Sequence, residues 1–188
     1  MYKIYGIKNI ESFDQQLYES ALKKMPIQEP QVYSVSLISD SIQFSKYTEV
    51  FKDLGEKNSK QPIQILYFNE NKLSSFHANC FAKGTFTGNL KWNYRGDFDR
   101  FLPKSAIELP EGIPTVEHIL KIYPLENKSN YQTTILFFWT NILQKQSIDA
   151  FNTIIKNMKT RTQLESIQLI MINTDKAFIE YFKENDAE

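Results

Sequence analysis

Apolar positions along this chain fall in two rhythms. Residues 32–38, 62–68, 73–81, 133–139 and 167–172 are short runs of strand length, rich in Val, Ile, Leu, Phe and Tyr. Several are nearly continuous rather than alternating, the pattern of strands covered on both faces. Residues 2–7 alternate like one more short strand. Between these runs the spacing turns helical. Behind Asn9 as a cap come Ile10, Phe13, Leu17 and Leu22; Ile42, Phe44, Tyr47, Val50, Phe51 and Leu54 end near Gly55. Val116, Ile119, Leu120 and Tyr123 mark a short helix, and two more are predicted over 148–158 and 176–184. This alternation predicts an α/β fold, a mixed and largely parallel sheet flanked by helices. Residues 63–72 can be laid over 167–176, which fits either a decayed duplication or the common look of buried strands.

The rhythm is lost over residues 82–112. Gly84, Gly88 and Gly96 punctuate that stretch, with Trp92, Tyr94, Phe98 and Phe101 among them. It reads as an ordered loop or hairpin held by its aromatics. No flexible linker divides the chain, so residues 1–188 are expected to form one domain, with 1–110 and 111–188 as a possible subdivision.

Composition narrows the function classes. The 188 residues suffice for a core without staples. Lys and Arg balance Asp and Glu at 22 each, so no global field favours nucleic acid. Cys80 is the one cysteine, which excludes an intramolecular disulfide and a Cys-cluster zinc site. No run approaches the length of a membrane helix, and the N-terminus lacks a signal-like apolar stretch. The expectation is a cytoplasmic chain with no metal and no cofactor.

Candidate chemistry is sparse. There is no Gly-x-Gly-x-x-Gly, no P-loop and no Gly-x-Ser-x-Gly elbow. Phe76-His-Ala-Asn-Cys80 places His77 three residues before Cys80. On a strand that spacing puts the two on opposite faces, so a Cys–His nucleophile would have to pair Cys80 with His118. The plainer reading makes Cys80 a small hydrophobe. Asp97 and Asp99 sit on a loop without any specific cation-binding pattern.

Thr134-Ile-Leu-Phe-Phe-Trp139 runs into Thr140-Asn-Ile-Leu-Gln-Lys-Gln146 and then an amphipathic helix. Further on, a second strand ends Asn173-Thr174-Asp175. Over about residues 131–186 this resembles the thioredoxin-like superfamily, in particular its thiol–disulfide oxidoreductase branch. The resemblance implies a redox Cys-x-x-Cys at the helix start, yet those positions fall on Leu143 and Gln146. A helix N-terminus lowers a thiol pKa to make the attacking thiolate, and neither residue can form one. The family also continues with a proline-led strand pair, which this chain lacks, so its sheet would have to be completed by the N-terminal strands.

A scaffold without its nucleophile retains surface and shape. The leading expectation is therefore a non-catalytic module binding an unidentified protein partner, without nucleic acid or membrane. Two surfaces are candidates: Trp92, Tyr94, Arg95 and Phe98 in the aromatic loop, and Trp139, Asn141 and Gln146 at the strand end. The aromatics could instead fold inward and pin the loop. The alternative function is an enzyme or small-molecule binder using His77, Cys80, His118 or Asp175. A third is a structural subunit that self-associates.

Overall fold

A computed structural model describes residues 10–29, 32–125, 131–161 and 166–185. The elements are α1 (Gln15–Leu22), β1 (Val32–Ile38), α2 (Ser41–Val50), α3 (Glu56–Ser59), β2 (Gln64–Asn69), β3 (Lys72–Ala78), β4 (Lys83–Gly84), β5 (Leu90–Lys91), α4 (Val116–Ile122), β6 (Thr133–Trp139), α5 (Gln144–Met158), β7 (Ile167–Asn173) and α6 (Asp175–Asn185). Short 3-10 turns at Lys52–Leu54 and Asn79–Phe81 end the second predicted helix and the third predicted strand early. The strand expected over 2–7, and Asn9 as a cap, lie outside the described residues. Asp14 is the cap seen, accepting from the Gln16 and Leu17 amides.

Five strands form one sheet in the order β1-β7-β6-β2-β3. β1, β7 and β6 run parallel, while β2 is antiparallel to β6 and β3 to β2. The predicted α/β class holds. β2, however, is no parallel return of β1. Glu70 and Asn71 both take positive φ, at 47° and 68°, and a two-residue turn of that kind sends the chain straight back as a hairpin. The similar segment 167–176 instead leaves β7 and enters α6, so the two look-alike runs hold different places in the fold. The hairpin β2–β3 completes the sheet on the side of β6 away from β7.

Alternation along the strands divides the core in two. Ile65, Tyr67, Ile135, Phe137, Trp139, Leu169 and Met171 face one side, where α1, α5 and the 90–102 segment cover them. Leu66, Phe68, Leu136, Phe138, Ile170 and Ile172 face the other, under α2 and α4. α6 packs beside α2 through Phe44 and Phe178, whose ring centroids are 5.2 Å apart. α5 buries Gln146, Ser147, Ala150, Phe151, Ile154, Asn157 and Met158, a stripe with helical period on the first face.

The outer edge of β3 is strapped by the chain that follows the aromatic loop. The Ala106 amide donates to the Phe76 carbonyl at 3.0 Å, and the Phe76 amide donates to Ser105 Oγ at 3.2 Å. An open edge would be a template for pairing with other chains, and this strap closes part of it.

Candidate functional site

In an open α/β sheet, ligands favour the carboxyl ends of the parallel strands. Here those ends hold Ser39 after β1, Thr140 and Asn141 after β6, and Asn173, Thr174 and Asp175 at the end of β7. All six side chains are buried. They are polar, so each needs a partner, and they find one another. The Asp175 carboxyl accepts from the Thr140 hydroxyl, from the Asn141 amide N–H at 2.7 Å, from Asn141 Nδ2 at 2.8 Å and from Asn173 Nδ2 at 3.1 Å. Thr174 donates its amide to the Trp139 carbonyl at 2.9 Å. Ser147 Oγ accepts from the Thr140 amide and donates back to the Thr140 carbonyl. Ser39 Oγ lies 2.8 Å from Tyr123 Oη. The strand ends are stitched to each other and to α5, and the network turns inward rather than toward a ligand.

The start of α5 is covered as well. Leu143 is its N-cap residue and makes no side-chain capping bond. Gln146, one turn on, is buried and donates to the Gly88 carbonyl at 2.7 Å. Lys145 Nζ donates to the Thr87 carbonyl at 2.9 Å, and Asp149 Oδ2 accepts from the Leu90 amide at 3.0 Å. The small β4–β5 hairpin is thereby held over the helix start, where the resemblance implies an open redox loop.

These positions correct most of the expected interaction surface. Trp92 and Phe98 are in the core, Trp92 only 4% exposed, because the loop aromatics fold onto the sheet face that α5 leaves uncovered. Asn157 of α5 pins that loop by donating to the Phe98 and Arg100 carbonyls, both at 2.8 Å. Trp139 is fully buried and stacks on Tyr18 with centroids 5.6 Å apart. Asn141 and Gln146 are buried too. Tyr94 and Arg95 alone of the seven remain exposed, with Arg95 Nε donating to Tyr94 Oη at 2.6 Å and the guanidinium 5.1 Å from the ring centre.

Nor are the alternative residues gathered into one site. His77 is buried in β3, with Nε2 2.9 Å from the Lys104 carbonyl and its ring 4.3 Å from Phe98. A carbonyl only accepts, so the neutral ring carries its proton on Nε2. Cys80 is exposed beside Asn58, 3.9 Å from its Oδ1, and partial desolvation raises its thiol pKa, the opposite of nucleophile activation. His118 is spent at the start of α4, where Nδ1 accepts from the Thr115 amide at 3.2 Å. Asp175 belongs to the strand-end network. Among the described residues, no group of three His, Cys, Asp or Glu could hold a metal ion.

Two outcomes follow from this geometry. Replacing Asp175 with Asn turns one of its two acceptor oxygens into a donor facing other donors and should cost about 3 kcal/mol of stability in urea unfolding, because buried donors of Thr140, Asn141 or Asn173 lose their acceptor. For His77, burial pushes the imidazole down to about 4, against a free value near 6.5. Between those values the unfolded chain binds the proton and the folded chain does not, so stability falls as pH drops from about 6.5 to 4. The loss is on the order of 3 kcal/mol, from roughly 1.4 kcal/mol per pKa unit. Unfolding measured across that window should show the slope in the wild type and a flatter profile in His77→Gln.

Compared with known proteins, the chain matches no protein-family model, no curated protein and no solved structure.

Proposed function

We propose that this protein is a non-catalytic, thioredoxin-like α/β scaffold that acts by binding another protein and has no redox activity. The observation that carries the reading is the closure of the α5 start: an aliphatic and an amide side chain stand one turn apart where a nucleophile pair would work, and a hairpin is bonded over them. The strand arrangement also supports it. β6, α5 and β7 make a parallel unit, and an antiparallel pair flanks β6, here contributed from earlier in the chain. With the strand ends closed upon themselves, what remains on offer is surface, of which Tyr94 and Arg95 are exposed parts.

The scaffold half of the proposal is tested by restoring the missing pair. A Leu143→Cys/Gln146→Cys double variant places two thiols one turn apart at a helix start, close enough to bridge. Mild oxidation should leave Cys80 as the single titratable thiol. Persistence of all three thiols would refute the thioredoxin-like geometry at this loop. The binding half is tested by affinity capture from the native lysate, read by mass spectrometry. One stoichiometric protein partner is expected, and recovery of none overturns the interaction reading.

A further inference from the structure

We propose that the β4–β5 hairpin and the adjoining face of α5 dock an acidic segment of a partner protein, with Phe86 as its apolar anchor. The inference deepens the interaction reading above and rests on it.

Phe86 sits between β4 and β5 and is 99% exposed, while the other large aromatics of residues 82–112, Tyr94 excepted, are folded inward or half-buried. It contributes nothing to the core. Its support is nonetheless firm, since the three bonds from Lys145, Gln146 and Asp149 fix the hairpin to α5. An aromatic displayed on a braced turn loses little freedom on binding, which is what a good anchor needs.

Charge identifies what it would meet. Lys83 and Lys91 face each other directly across the β4–β5 ladder, a like-charge placement that costs stability. Lys145 and Lys156 on α5 are exposed on the same side. Beside the hairpin runs a shallow cleft of about 360 Å³, lined by Lys91, Tyr94, Asn152 and Lys156 among others. Asp149 is the carboxylate among its described lining residues; its Oδ2 accepts from Leu90, and it also attracts Lys145 one turn before it, which leaves Lys83, Lys91 and Lys156 as the less compensated charges. Among the described residues no carboxylate lies within ion-pair distance of these four lysines. In a chain whose charges balance overall, these lysines form a positive strip that runs from the hairpin along α5, with Phe86 exposed on the hairpin turn at one end of it.

The same features fit other polyanions less well. A single-stranded nucleic acid needs successive open aromatic faces to stack on, and the Tyr94 face carries the Arg95 guanidinium. One aromatic tip beside a few lysines gives only marginal hold on a lipid surface, where stable anchoring takes a second apolar insertion. A protein groove can enclose Phe86 fully and set carboxylates against the lysines at once.

The test uses the full chain and a fluorescein-labelled peptide in which Asp and Glu flank a central Leu-Leu pair, followed by anisotropy. Wild type should bind, and added salt should weaken it. Phe86→Ser and Lys91→Glu/Lys156→Glu should each bind about tenfold more weakly. Because these side chains are exposed and Lys91→Glu relieves the like-charge pair with Lys83, the thermal midpoint should not fall in either variant, so a loss of binding is not a loss of fold. Absence of peptide binding, equal binding by the variants, or preference for an oligo-dT strand or a phosphatidylserine vesicle at the same salt overturns the assignment. If a partner captured from lysate is retained by Phe86→Ser, the interaction reading stands and the hairpin assignment falls.

Discussion

β6 has seven residues and no solvent-facing side chain, so both of its faces must be covered by separate layers. That requirement organises the rest of the molecule. Ile135, Phe137 and Trp139 call for α1, α5 and the aromatic loop on one side; Leu136 and Phe138 call for α2 and α4 on the other. The strand is also the seam between two pairing modes, parallel to β7 and antiparallel to β2. Through it the β2–β3 hairpin and the C-terminal β-α-β unit become one sheet with a core on each face.

Burial of the strands forces burial of their ends. Thr140, Asn141, Asn173 and Asp175 are polar groups taken out of water, where an unpaired donor or acceptor is costly. The Asp175 carboxyl resolves this by accepting from three neighbouring residues. A cluster satisfied in this way has its lone pairs and protons committed to the fold. The place where many α/β proteins keep an open site is here a latch between β6, β7 and α5.

The long aromatic segment divides its labour. Trp92 and Phe98 complete the core that α5 leaves open, and the 104–106 strap shields β3 with His77 beneath it. The β4–β5 turn does the reverse and carries Phe86 and its lysines into solvent. One stretch of chain thus covers the start of α5 and presents a new surface in front of it.

Residue order alone determined the class and the strands and helices of the main sheet, to within a few residues at their ends. The runs at 32–38 and 133–139 are strands with those bounds, since both are rich in β-branched and aromatic residues and are shorter than an ordinary helix. The absence of Cys at Leu143 and Gln146 was equally legible, because reactivity is a property of the side chain itself. What sequence could not supply was direction. Whether Trp92 points in or out, whether Asn141 meets Asp175 thirty-four positions later, and whether β2 pairs parallel or antiparallel to β6 all depend on contacts between distant segments. Phe86 and Trp92 are both large aromatics near a glycine; only the packing of α5 left room for one of them and none for the other.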